Sequence, residues 1–82
     1  MQLAGIPVTH DDTKTLVDLL HRVGRDADLT LAARLDRGLE GNTKILALSP
    51  AERDTLLGVL DDPPTGLAEL RGVLARDHRD RQ

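Results

Sequence analysis

Cysteine and all three aromatic residues are absent from this 82-residue chain. Without cysteine there is no disulfide framework and no thiolate metal site. Without Phe, Tyr or Trp the interior loses side chains that each bury about 150–250 Å². Leu, Val, Ala and Ile must build the core instead. Lysine occurs only at Lys14 and Lys44, and serine only at Ser49. No apolar run approaches the roughly 18 residues of a membrane-spanning helix. Met1 to Val8 lacks the basic and apolar regions of a signal peptide, so the expected location is the cytoplasm.

What is present is rich in Leu, Ala, Arg, Asp and Gly, a bias expected of a GC-rich bacterial genome. The formal net charge is −3, mixed in sign and suited to a soluble surface. The length fits one small domain, which buries only about 60% of its unfolded surface. A core of that size typically nets roughly 3–5 kcal/mol. A partner or a second copy would therefore add stability by mass action.

The pattern predicts an all-α fold of four helices, either a small four-helix bundle or two packed helical hairpins. Residues 1–8 read as an extended lead-in, with Gly5 and Pro7 set against a helix. Thr9 followed by Asp12 fits an acidic capping box, and Leu16, Leu19, Leu20 and Val23 share one stripe of a helix over about 10–23. Gly24 falls where a left-handed cap is needed. Asp26 or Asp28 can cap a second helix, about 27–40, with Leu31, Leu35 and Leu39 one turn apart. Leu29 and Ala33 lie towards its flank.

Residues 43–48 are the only stretch with extended character, read as a linker or a short strand with nothing to pair with inside the chain. Ser49, Pro50 and Glu52 then form a capping box with proline at the first helical position, opening a helix over about 50–61. Asp61-Asp62-Pro63-Pro64 stops it, because residues before proline leave the helical region. Thr65 is the expected cap of a fourth helix, about 66–79, with Leu67, Leu70, Val73 and Leu74 on one face. Residues 76–82 read as a charged, fraying tail.

The inventory for catalysis is thin. Ser49 is committed as a helix cap rather than a nucleophile. His21 and Asp18 are spaced to share a helix face and hold a metal, but a pairing of Asp18 with Arg22 explains the same residues. His10 stands beside helix-start acids, and His78 lies in the charged tail. Neither phosphate-binding glycine loop occurs, so no cofactor and no small-molecule substrate are expected. The first two helices have a helix-turn-helix layout, yet Arg25, Arg34 and Arg37 are offset by Asp26, Asp28, Asp36 and Glu40. With no aromatic platform for bases either, nucleic-acid binding is not supported.

Two resemblances arise from the segments themselves. Residues 24–35, Gly-Arg-Asp-Ala-Asp-Leu-Thr-Leu-Ala-Ala-Arg-Leu, look like the Asp-Ser-Leu site of acyl carrier proteins, but Ala27 and Asp28 stand where that family's serine would be. Residues 46–76 carry a capped helix, Leu60-Asp61-Asp62-Pro63-Pro64, then Leu70-Arg71 and Leu74. This resembles the C-terminal, toxin-binding segment of antitoxins that neutralise acetyltransferase toxins. The resemblance implies partner contact through Leu57, Leu60, Pro63, Pro64, Leu70 and Leu74. In that family a ribbon-helix-helix part precedes the segment, whereas residues 1–42 here read as two helices.

Taken together, these residues point to a non-enzymatic protein–protein interaction domain. It is expected to bind another protein or itself through leucine-rich helix faces. The alternative is a small regulator, antitoxin-like or DNA-associated.

Overall fold

Helix starts follow the local chemistry of the chain. The structure, a computed structural model, describes residues 1–81. Thr9 Oγ1 accepts a hydrogen bond from the Asp12 N–H at 3.1 Å and opens α1, His10–Val23. Gly24 closes α1 in the left-handed region (φ 76°), where a residue with a Cβ is strained. Helix α2, Asp26–Glu40, is entered through Arg25 rather than an aspartate. Asp28 still serves the cap, since its carboxylate turns back to accept the Arg25 N–H at 3.3 Å and the Arg25 Nε at 2.7 Å.

Helix α3, Pro50–Val59, has the full capping box. Ser49 Oγ accepts from the Glu52 N–H at 3.2 Å, and Glu52 accepts the Ser49 N–H at 2.9 Å. It ends two residues before the expected 61, and the Leu60 carbonyl is taken up by Arg71 Nε at 2.6 Å. Thr65 does not cap the fourth helix; it begins a 3-10 turn, Thr65–Leu67, that leads into α4, Ala68–Asp80.

The extended first eight residues are paired strands rather than a free lead-in. Strands β1, Gln2–Leu3, and β2, Ile6–Pro7, form a hairpin around Ala4 and Gly5. Both turn residues have positive φ, 51° and 81°, as a two-residue turn matched to strand twist requires. The segment after α2 supplies β3, Ile45–Leu46, which pairs parallel to β1 in the order β2-β1-β3. The expectation that this strand lacks a partner is therefore corrected. Its partner lies at the far N-terminal end of the chain and is only two residues long, too short to show a period in sequence. The fold is mostly helical with a small sheet, not a pure bundle.

All elements converge on one interior of leucine. Leu3, Leu16, Leu20, Leu35, Leu56, Leu60, Leu67 and Leu70 are fully buried, and Leu31, Leu48 and Leu74 nearly so. Among the helices, α1 packs most extensively on α2, α3 packs on α4, and α3 also touches α1 and α2. No helix of the described residues is long and apolar enough to cross a membrane.

The charged end of the chain is helical over most of its described length. Helix α4 continues to Asp80, and its end is tied to α3 by the Arg53–Asp77 and Arg81–Asp54 ion pairs. Gln82 lies outside the described residues.

Two substitutions probe this packing. Leu60→Asp places a carboxylate in the core and is expected to abolish the cooperative thermal transition seen by circular dichroism, because the penalty exceeds the roughly 3–5 kcal/mol available. Ala4→Asn relieves a left-handed alanine and is expected to raise stability in urea by about 0.5–1 kcal/mol.

Candidate functional site

The structure separates the residues singled out in the sequence. Leu60, Leu70 and Leu74 are at most 1% exposed and line the interior, so they do not present a surface to a partner. This corrects the implied contact set: the leucine faces of α3 and α4 are used against the rest of this chain. Helical spacing marks a covered face, but does not say what covers it. Leu57 and Pro63 are half-buried, and Pro64 is exposed.

The histidines are scattered. His21 and Asp18 are both exposed on α1, and among the described residues Asp18 forms no ion pair with Arg22. His10 borders an opening of about 200 Å³ with Met1, Asn42 and Lys44. His78 Nδ1 lies 3.2 Å from Asp54 Oδ1. Among the described residues no three His, Asp or Glu side chains gather closely enough to hold a metal ion. Ser49 is occupied by its cap.

Two ionic groupings brace the helices. Arg34 of α2 is bonded through Nη1 to the Glu52 carboxylate and through Nη2 to the Ala47 carbonyl at 2.9 Å, stitching α2 to the start of α3. Burial pushes the Glu52 carboxyl up, but the Ser49 N–H and the Arg34 guanidinium outweigh it and hold the group below its ordinary value. At the other end of the pair, Asp54 faces Arg81 at 2.5 Å and His78, while Asp77 faces Arg53 at 3.3 Å and Arg81 at 3.0 Å. The Arg81 guanidinium holds the Asp54 carboxyl low against a smaller effect of desolvation. Sequence reasoning missed this cluster because its members are 24 to 27 residues apart.

The surface that remains open lies where α2 ends and β3 begins. An open groove of about 390 Å³ runs between Arg34 and Arg37 of α2 and Thr43 and Leu46. It meets the smaller opening beside His10 at Gly38 and Thr43. Next to it Ile45 is 69% exposed, the most exposed large apolar side chain among the described residues. Val23 (47%) and Leu29 (43%) form a second, smaller apolar exposure flanking the α1–α2 turn. Helical spacing hints at the second, since Leu29 and Ala33 sit off the core stripe and both are exposed. Chemically, the first region offers apolar contact beside Arg34, Arg37, His10 and Lys44, and the second offers apolar contact.

Comparison with protein-family models, with curated proteins and with solved structures finds no match to this chain.

The Glu52 geometry has a measurable consequence. Because its folded pKa is depressed, its stabilisation is complete above the unfolded value of about 4.3 and is lost as pH falls through the folded value. Glu52→Gln is expected to lower stability at pH 7 by about 1 kcal/mol in urea unfolding, and the deficit should shrink towards zero near pH 3.

Proposed function

We propose that this chain is a non-enzymatic interaction domain that binds another protein or a second copy of itself. The observation that carries the reading is the exposure of Ile45, Val23 and Leu29 outside a core that already uses every buried leucine. A partner that covers these side chains would add stability by mass action to a domain with little core to spare. The absence of cysteine suits a reducing cytoplasm as the place where it acts.

The antitoxin-like regulator remains the second reading. Its support is that α3, the Pro63-Pro64 turn and α4 do form a helical hairpin over the resembling segment. Against it stands the burial of Leu60, Leu70 and Leu74, which leaves only the rim of that hairpin for a partner.

The test compares wild type with Leu29→Glu and Ile45→Glu, both at exposed positions. Affinity capture from native extract and sedimentation over a concentration series are expected to show a stoichiometric partner or a dimer. At least one variant should lose it with helicity unchanged. A monomer at every concentration, with only the bait recovered, would overturn the proposal.

A further inference from the structure

Three regions lie outside the core and the helix caps. They are the ionic cluster joining α3 and α4, the Val23–Leu29 exposure, and the β3 edge. The first is held by its own ion pairs, with the buried Arg53 Nε left without a hydrogen-bond partner and no opening beside it among the described residues, and nothing in the structure says what would cover the second. The third carries more. Resting on the interaction-domain reading, we infer that the free edge of β3 receives an extended, acidic segment of a partner protein by strand addition. Ile45 is the pairing residue, and Arg37 and Lys44 select the charge.

Ladder geometry gives the first support. The Gln2 N–H donates to the Lys44 carbonyl at 2.7 Å, and Gln2 is in register with Ile45. In a parallel pair the bonds of one residue run to the two neighbours of its partner. The N–H and C=O of Ile45 therefore point away from β1, towards the side where the sheet order β2-β1-β3 has no further strand. Its side chain is 69% exposed at the same place.

The two edges of the sheet differ in kind. On β2, Val8 N–H donates inward to the Met1 carbonyl at 2.8 Å, which turns the nitrogen of Pro7 outward. Proline has no hydrogen to offer there, so that edge is closed to a further strand. The β3 edge carries no proline; it is short, two residues following Lys44, and offers the one outward-facing pair of backbone groups at Ile45.

Charge selects the occupant. The two openings beside β3 are lined by Arg34, Arg37 and Lys44, and no carboxylate lines either. Arg34 is neutralised by Glu52. Among the described residues neither Arg37 nor Lys44 has an ion-pair partner. Asp36 and Glu40 balance the charge of this stretch from outside the openings, so it is the lining itself, Arg37 and Lys44, that favours an acidic segment. A second copy adding β3 to β3 would bring two surfaces bearing Arg37 and Lys44 together, a poorer electrostatic match than an acidic segment. A nucleic acid would find no aromatic surface and would leave the Ile45 amide and carbonyl unused. Strand addition uses both, with backbone bonds for affinity and alternate side chains for choice.

The test uses the full chain, labelled with nitrogen-15, and a seven-residue peptide alternating Glu and Val. Binding is expected to shift the Ile45 amide and slow its hydrogen exchange. Arg37→Glu and Lys44→Glu are each expected to weaken binding about tenfold. The same peptide N-methylated along its backbone, and one alternating Lys and Val, are expected not to bind. Arg37→Gln and Lys44→Gln replace any reversal whose circular dichroism departs from wild type. Absence of peptide binding at millimolar concentration, equal binding of the N-methylated peptide, or tighter binding of a thymidine oligonucleotide at the same amides would each overturn strand addition. If a captured protein partner is then lost in Leu29→Glu but kept in Arg37→Glu, only the β3 assignment falls. If wild type captures nothing and stays monomeric, the interaction reading falls with it.

Discussion

The constraint on which this structure depends is a core with no aromatic ring. Eleven of its fourteen buried apolar residues are leucine, drawn from both strands and helices. Each buried leucine contributes roughly 1.5–3 kcal/mol before the entropy of ordering the chain is set against it. No single side chain is large enough to anchor the fold, so every element must deliver its share. Leu3 from β1 and Leu48 from the approach to α3 are enclosed along with the helical leucines. Through Leu3 the small sheet contributes to the interior.

That distribution explains the attention the chain gives to its ends. The Ser49–Glu52 capping box, the Asp28 carboxylate folded back on Arg25 and the Arg34–Glu52 pair all fix where a helix starts relative to its neighbours. The Asp54–Arg81 and Asp77–Arg53 pairs fix the last turns of α4, where apolar side chains have run out. Exposed pairs of this kind are individually worth little, but shared partners lower the entropy spent on each.

Much of the helical layout was legible, because its determinants are local. Thr9, Gly24, Ser49-Pro50 and Pro63-Pro64 act within a turn of themselves, and each stands at or beside an observed boundary. The sheet was not legible. Its strands are two residues long, its turn uses Ala4 where asparagine would have signalled it, and β3 meets β1 through a long separation in sequence. The resemblance put partner contacts on leucines that the fold buries, for a related reason. Leucines one helical turn apart announce a buried face, and Leu60, Leu70 and Leu74 have such a face. The partner they meet is their own chain. The residues left in water, Ile45 above all, are isolated apolar positions that no periodicity marks.

From core to surface, the sequence leads to one asymmetric feature: a sheet closed by Pro7 on one side and open at Ile45 on the other. Amide hydrogen exchange on the free chain tests that feature most directly. The Leu46 amide, turned towards Gln2, should be protected, while the Ile45 amide should exchange at the rate of open backbone. Equal protection at Ile45 and Leu46 would mean the edge is already covered, and would contradict the account of how this domain meets a partner.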